Sequence, residues 1–197
     1  GVYASVRAMH PGSYQGIKVI HTIGSLGTPN PQIDGPELAR QLADKLLGQY
    51  FTLPVPLFVD SESTRDALYN TPHVKKTLDS FKDISIALVG IGTVNPTKAS
   101  LLRAGYLNVH QLDELRLAGA VGDVCAIHFD EKGQLVDTPL TRCIVGIDAD
   151  TLRRIPVKIG VAASVIKASA IIGASRAKLI NILVTDESAA LEILKFL

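Results

Sequence analysis

The stretch Ile84-Ser85-Ile86-Ala87-Leu88-Val89-Gly90-Ile91-Gly92-Thr93 decides the class of this fold. Its first six residues are apolar nearly throughout, the pattern of a strand buried on both faces, as in a parallel sheet covered by helices. The glycines that follow mark a tight turn at the strand's end. The apolar run from Ile84 to Ile91 is the longest in the chain, far short of the roughly 20 residues a membrane helix needs.

Outward from this strand, β-type runs alternate with helical patterns. Ile17 to Ile23 reads as a strand ending in Gly24-Ser25-Leu26-Gly27, and Thr28-Pro29-Asn30-Pro31 as a loop, because two prolines prevent regular pairing. From Glu37 to Leu47, the spacing of Leu38, Leu42, Leu46 and Leu47 predicts a helix. Leu57-Phe58-Val59 is a second strand, and Asp60 to Ser63 supplies helix N-cap candidates. Further strands are expected at Val124 to Phe129, Cys143 to Ile147, Lys158 to Ala162 and Ile180 to Thr185. Helices fill Val109 to Leu117, Val165 to Ser175 and Glu187 to Phe196. Asp130-Glu131-Lys132-Gly133 is a turn between two strands, inside a hairpin excursion from Asp130 to Thr141. The βαβα order makes the class α/β with a mainly parallel sheet flanked by helices. No repeat or long linker divides the chain, so residues 1–197 read as one domain. It opens on a helix, Val2 to Met9, where such a fold opens on a strand; the expectation is that an N-terminal portion of the domain is missing.

Composition excludes several classes. With 47% hydrophobic and 20% charged residues among 197, the chain is neither disordered nor fibrous. Twenty basic against 19 acidic residues leave +1, unlike a surface built to grip nucleic-acid phosphates. Cys125 and Cys143 sit in apolar runs and read as buried free thiols. Two cysteines are too few for a Cys/His metal cluster, and the five histidines lack ligand spacing. A reducing, cytoplasmic setting follows from this cysteine usage.

In open α/β sheets ligands settle outside the carboxyl ends of the strands. Gly24-Ser25, Asp60 and Gly90-Ile91-Gly92-Thr93 fall at such ends. Glycines there let backbone N–H groups approach an anion, or simply serve a tight turn. Gly-x-Gly-x-x-Gly and Walker patterns are both lacking, so dinucleotide and ATP sites have no support. Lys167, early in a helix, is either a phosphate partner or a solvated surface cation. Asp123, ahead of an apolar strand, either accepts sugar hydroxyls or forms a turn.

Taken together, five motifs resemble the SorC/DeoR-like family of bacterial sugar-responsive transcriptional regulators. They are Gly119-Ala120-Val121-Gly122-Asp123-Val124-Cys125 with Phe129-Asp130-Glu131-Lys132-Gly133, Val161 to Ala168 leading to Ala170-Ile171, Leu183-Val184-Thr185-Asp186-Glu187, Ala189-Ala190, and Leu88 to Thr93. The resemblance covers essentially the whole chain and implies the C-terminal effector-binding domain, with a fold akin to glucosamine-6-phosphate deaminases, ribose-5-phosphate isomerases and CoA transferases. It implies a domain that is not an enzyme, carries no cofactor and no metal, binds a sugar or sugar phosphate and assembles into dimers or tetramers. Operator DNA would be read by a helix-turn-helix domain on the N-terminal side. Carried onto this sequence, the effector site comprises Gly24, Ser25, Asp34, Asp60, Gly90, Ile91, Gly92, Thr93, Asp123 and Lys167, with Lys167 facing phosphate and Asp123 holding hydroxyls. Two departures stand out. Ile23 occupies a position where some relatives carry a cation that can bond an aldehyde, and Ala163-Ser164 replaces a frequent Gly-Gly. Both favour a less highly phosphorylated or free sugar. The alternative is a sugar-phosphate isomerase or deaminase on the same fold, with Asp60 or Asp123 as general base.

Overall fold

The computed structural model describes residues 1–12, 14, 16–25 and 34–196. Leu26-Gly27 and the loop expected at Thr28 to Pro31 lie outside the described residues. The chain divides into two compact units, Gly1–Asp83 with Cys143–Ile147, and Ile84–Arg142 with Asp148–Leu197.

The first unit opens with helix α1 (Val2–Ala8), followed by strand β1 (Lys18–Ile20), helix α2 (Gly35–Leu46) and strand β2 (Gln49–Phe51). β1 and β2 are parallel, with Lys18 opposite Gln49 and Ile20 opposite Phe51, so α2 is the crossover of a βαβ unit. α2 starts where Asp34 caps it, its carboxylate accepting the Gly35 N–H at 2.8 Å, with Pro36 in the first turn. It stops at Leu47, which takes the left-handed conformation (φ 52°) and is 74% exposed. Leu47 therefore leaves the apolar stripe on which its spacing had put it. Helices α3 (Glu62–Tyr69) and α4 (Pro72–Ser80) follow. Ser61 caps α3 by accepting the Thr64 N–H at 3.1 Å. Residues 143–147 return to this unit, where the Tyr69 hydroxyl both donates to the Gly146 carbonyl and accepts the Gly146 N–H, each at 3.2 Å.

Two expected strands of this unit are corrected. The partner of β1 is Gln49–Phe51, which carries no apolar run; Leu57 to Val59 makes only a single bridge, Phe58 to Ile144, beside one from Pro56 to Ser25. Pro54 and Pro56 flank that segment and lack the N–H groups a continuous ladder needs. Cys143 to Ile147 likewise makes isolated bridges at Ile144 and Gly146, after a 3₁₀ turn at Thr141–Cys143.

The second unit is built on strand β3 (Ile86–Gly90), which leads through helices α5 (Ser100–Arg103) and α6 (Val109–Leu117) to strands β4 (Gly122–Val124) and β5 (Ile127–Phe129). Helix α7 (Ala149–Arg154), strand β6 (Val157–Val161), helix α8 (Ala168–Arg176), strand β7 (Ile182–Val184) and helix α9 (Glu187–Ile193) complete it. The sheet order is β3-β6-β7, all parallel. Lys158, buried on β6, donates from Nζ to the carbonyls of Ile155 (2.7 Å) and Arg153 (3.2 Å), so the C-terminus of α7 supplies the partners its charge requires. α8 buries Ala168, Ala170, Ile171, Ile172, Gly173 and Ala174. Its small residues permit close approach to β4, where the Ala170 methyl faces Gly122.

Here too there are corrections. β3 is not buried on both faces: Ala87 and Val89 point into the core, whereas Ile86 on the opposite face is 61% exposed. Val124 to Phe129 is not one strand but the arms of a tight antiparallel hairpin, β4 and β5, turned by Cys125-Ala126. The predicted helix from Val165 begins as a 3₁₀ turn, Val165–Lys167, before α8. Neither cysteine forms a disulfide, as expected, but both are part-exposed rather than buried. The turn at Asp130 to Gly133 holds, with Gly133 at φ 83° and the Asp130 N–H donating to the Gln134 carbonyl at 2.9 Å. The architecture is α/β with parallel sheets flanked by helices.

Candidate functional site

In the second unit five expected residues converge at the end of β3. The β4–β5 hairpin lies alongside, with Ile91 bridging Val124 in antiparallel sense and the Gly92 N–H donating to the Asp123 carbonyl at 2.8 Å. Gly92 matters through space rather than φ: a methyl group there would overlap the Asp123 carboxylate oxygen Oδ1. Its N–H is already committed to Asp123, so the glycine contributes room for the carboxylate rather than an anion cradle. The other oxygen, Oδ2, accepts the Ala126 N–H at 3.2 Å, which fixes the carboxylate above the turn. Thr93 is buried; its Oγ1 accepts the Asn95 N–H at 3.2 Å. Gly90 belongs to the β3–β6 ladder, opposite Val161.

Lys167 reaches this cluster from the N-terminal side of α8. Its Nζ donates to the Ile91 carbonyl at 2.6 Å. Burial pushes the Lys167 ammonium below its ordinary range, the Arg103 guanidinium adds to this, and Asp123 opposes both. The Lys167 ammonium thus feels one carboxylate and one guanidinium of opposite effect. Arg103, on α5, was not among the sequence candidates; nothing in its local pattern distinguishes it from a surface arginine.

Ser164, just before Lys167, has φ 93°, a conformation that suits glycine and strains other residues. Its N–H donates to the Asp186 carboxylate at 3.0 Å, which also caps α9 by accepting the Ala189 N–H at 2.9 Å. This is the loop where the resemblance led us to expect a Gly-Gly pair.

The histidine across the hairpin escaped the sequence candidates. Asp123 and His128 are directly opposed in the β4–β5 register, so both side chains project from the same face of the ribbon. His128 is 2% exposed, and its Nδ1 makes no well-formed hydrogen bond. Burial pushes its imidazole well below the usual histidine range, with Asp123 pulling against that shift. Thr93, Asp123 and His128 line a cleft with Val94, Leu107 and Leu112, enclosing about 10 Å³ of open space.

The first unit holds the other candidates. Gly24 donates its N–H to Val145 (2.9 Å) and Ser25 to Val55 (2.8 Å). A side chain on Gly24 would collide with the Pro56 carbonyl, so this glycine serves a close backbone approach. The Ser25 hydroxyl donates to the Asp34 carboxylate at 3.1 Å. Asp60 is exposed, at the bend ahead of α3.

Beside Asp34 lies His21, whose Nε2 occupies the place a side chain on residue 35 would take. It is 8% exposed, and burial lowers its pKa to about 4 against the attraction of Asp34. The folded state therefore holds His21 neutral, whereas the unfolded chain binds a proton below about pH 6.5. Its contribution to stability is complete above that pH and is lost as pH falls toward 4, about 3 kcal/mol in all. His128 acts in the same direction. We expect the thermal midpoint to drop by about 4–8 °C between pH 7.5 and pH 5. His21→Asn, compared by calorimetry at the two pH values, will show a smaller drop; an unchanged drop would clear His21 as its source.

Among the described residues, no three His, Cys, Asp or Glu side chains are grouped to hold a metal ion, and no helix is long and apolar enough to cross a membrane.

Comparison with known proteins identifies the family of the chain. Residues 1–195 match the Sugar-bind family model, described as "Putative sugar-binding domain". The chain is 28% identical over 189 residues to the deoxyribonucleoside regulator of Bacillus subtilis (strain 168), covering 96% of this chain and 60% of that protein. It is 34% identical over 144 residues to the transcriptional regulator LsrR of Enterobacter sp. (strain 638), covering 72% and 45%. The crystal structure of the full-length sorbitol operon regulator SorC from Klebsiella pneumoniae superposes with a TM-score of 0.89 at 27% identity, covering 98% of this chain and 63% of that one. The chain thus spans about half to three-fifths of the curated relatives' length. It belongs to the Sugar-bind family, the sugar-binding domains of transcriptional regulators of the SorC and DeoR kind.

Proposed function

We propose that this chain is the effector-binding domain of a bacterial, cytoplasmic transcriptional regulator. It senses a sugar or sugar phosphate without turning it over. The observation that carries this reading is the convergence of the Asp123 carboxylate, the half-buried Lys167 ammonium and the side-chain-free Gly92 at the end of β3. A carboxylate accepts paired sugar hydroxyls through charge-assisted hydrogen bonds, and a partly desolvated ammonium beside it complements phosphate. The domain forms dimers or tetramers, and operator DNA is read by a separate domain on its N-terminal side. Effector binding shifts a balance between assemblies that differ in operator affinity, which requires that the effector bind those assemblies unequally.

Thermal unfolding against a panel of free and phosphorylated pentoses and hexoses, each also assayed for turnover, tests this reading. A sugar present at about 100 times its Kd stabilises the fold by about 2.7 kcal/mol. We expect such a shift with one sugar or sugar phosphate and no turnover. Turnover would transfer the protein to the enzymes, and a panel without any shift would overturn the site.

A further inference from the structure

Sugars differ chiefly in the orientation of their hydroxyls and, for deoxy sugars, in which carbons carry one, so a site that discriminates among them needs fixed polar groups in a dry wall. The cleft beside Asp123 has such a wall. Val94, Leu107 and Leu112 are apolar, and the one imidazole among them belongs to His128. We propose that His128 is a specificity-determining residue of the sugar site: its Nδ1 hydrogen-bonds one hydroxyl of a sugar whose neighbouring hydroxyls are held by Asp123. The proposal rests on the effector-binding reading above and deepens it.

Three observations carry it. First, the β4–β5 register sets His128 directly opposite Asp123, and both line a cleft whose open space of about 10 Å³ has room for a single hydroxyl. Second, Nδ1 is buried and makes no well-formed hydrogen bond in the protein, with only the nearby Ala126 backbone favouring the charged ring alongside Asp123. Folded proteins rarely leave a buried ring nitrogen unpaired, and such an atom needs an explanation. Third, His128 is held by the hairpin ladder itself, its carbonyl accepting the Val136 N–H at 3.0 Å, so the ring is mounted on rigid backbone rather than on a loop. Burial keeps the imidazole uncharged at neutral pH. A neutral ring has one nitrogen that donates and one that accepts, and a hydroxyl can answer either. The discrimination is therefore by hydrogen bond, not by charge. A sugar lacking that hydroxyl leaves Nδ1 unpaired and binds more weakly, by about tenfold or more.

The test uses four probes in two pairs: ribose 5-phosphate with 2-deoxyribose 5-phosphate, and glucose 6-phosphate with 2-deoxyglucose 6-phosphate. Calorimetric Kd values are measured for the wild-type chain, His128→Phe and His128→Gln. We expect the wild type to separate the members of at least one pair by tenfold or more. His128→Phe brings that ratio to within about twofold, and His128→Gln, which keeps polar atoms near Nδ1, retains part of it. In the unsubstituted protein, the ¹⁵N resonance of His128 Nδ1 shifts on binding the hydroxylated member only. That measurement needs no variant to fold. A ratio preserved in a folded His128→Phe, or an Nδ1 resonance unmoved by every sugar that binds, would each overturn the proposal while leaving the effector site standing. A wild type that binds none of the four, nor any sugar of the wider panel, would overturn the effector site and this inference with it.

Discussion

Lys167→Met is expected to weaken binding of a sugar phosphate by about 10- to 100-fold and to leave a free sugar nearly unaffected. The ammonium is half-buried at the N-terminal side of α8, 2.6 Å from the Ile91 carbonyl, between the charges of Asp123 and Arg103. A charge-assisted hydrogen bond to phosphate contributes about 1.5–3 kcal/mol, and this sets the expected loss. Methionine fills similar space with no charge, so packing around α8 survives. The Ile91 carbonyl loses its donor, at a stability cost of about 1 kcal/mol. In a chain of this length that is a fall of about 2–4 °C in thermal midpoint. Lys167→Arg keeps the charge but alters reach and shape, and should recover part of the phosphate preference. The measurement is a pair of calorimetric titrations, phosphorylated against free sugar, on each variant. Equal losses for both sugars would move Lys167 from the phosphate to the ring.

The second large effect is expected from Gly92→Ala. The new methyl group overlaps Asp123 Oδ1, and backbone on both sides resists relief. The Gly92 N–H is bonded to Asp123 at 2.8 Å and Ile91 is bridged to Val124. The carboxylate must therefore move, and it gives up the Ala126 N–H that holds it over the hairpin turn. Overpacking of this kind costs about 1–3 kcal/mol of stability. Sugar affinity should fall by about 100-fold or more, since the displaced carboxylate no longer meets the hydroxyls and each charged hydrogen bond lost costs about 1.5–3 kcal/mol. The two effects separate in a double-variant cycle. Removing the carboxylate with Asp123→Ala in the Gly92→Ala background should restore much of the stability and none of the binding, because the clash is gone and so is the acceptor. If Gly92→Ala alone binds sugar normally, Asp123 does not act from its observed position.

Much of the second unit was legible because its signals are local. α6 and the start of α9 fall where their helical patterns put them, β3 and β7 lie within their apolar runs, and β6 begins one residue ahead of the expected Lys158. Asp123, Gly92 and Lys167 could be named because each belongs to a motif carried by the family resemblance. The pairing of Asp123 with His128 could not. It depends on a two-residue turn in which Cys125 (φ 52°) and Ala126 (φ 60°) both adopt left-handed conformations. Such turns are announced by Asn-Gly or Gly-Gly, and Cys-Ala announces nothing, so six consecutive residues read as one strand. The first unit was harder for the opposite reason. Gln49–Phe51 is a strand because β1 offers it a partner, not because its own residues declare one. Its burial is partial, so the alternation that would betray it is weak.

The hydrogen bond between Lys167 and Ile91 spans 76 residues of chain. Ile91 follows β3 and Lys167 lies beyond β6, and these strands pair only after the whole intervening segment, hairpin included, has been closed into a loop. Closing a long loop is entropically unfavourable until the ladder forms, and contacts of this separation come late in assembly. By contrast, β6, α8, β7 and α9 are neighbours in sequence and in space. A nascent or partly unfolded chain can hold that local module and still have no site, because Gly92 and Asp123 arrive with the long-range pairing. If the chain is the effector domain proposed above, its responsiveness to a sugar is tied to completion of the unit, and only molecules that have finished folding answer the signal.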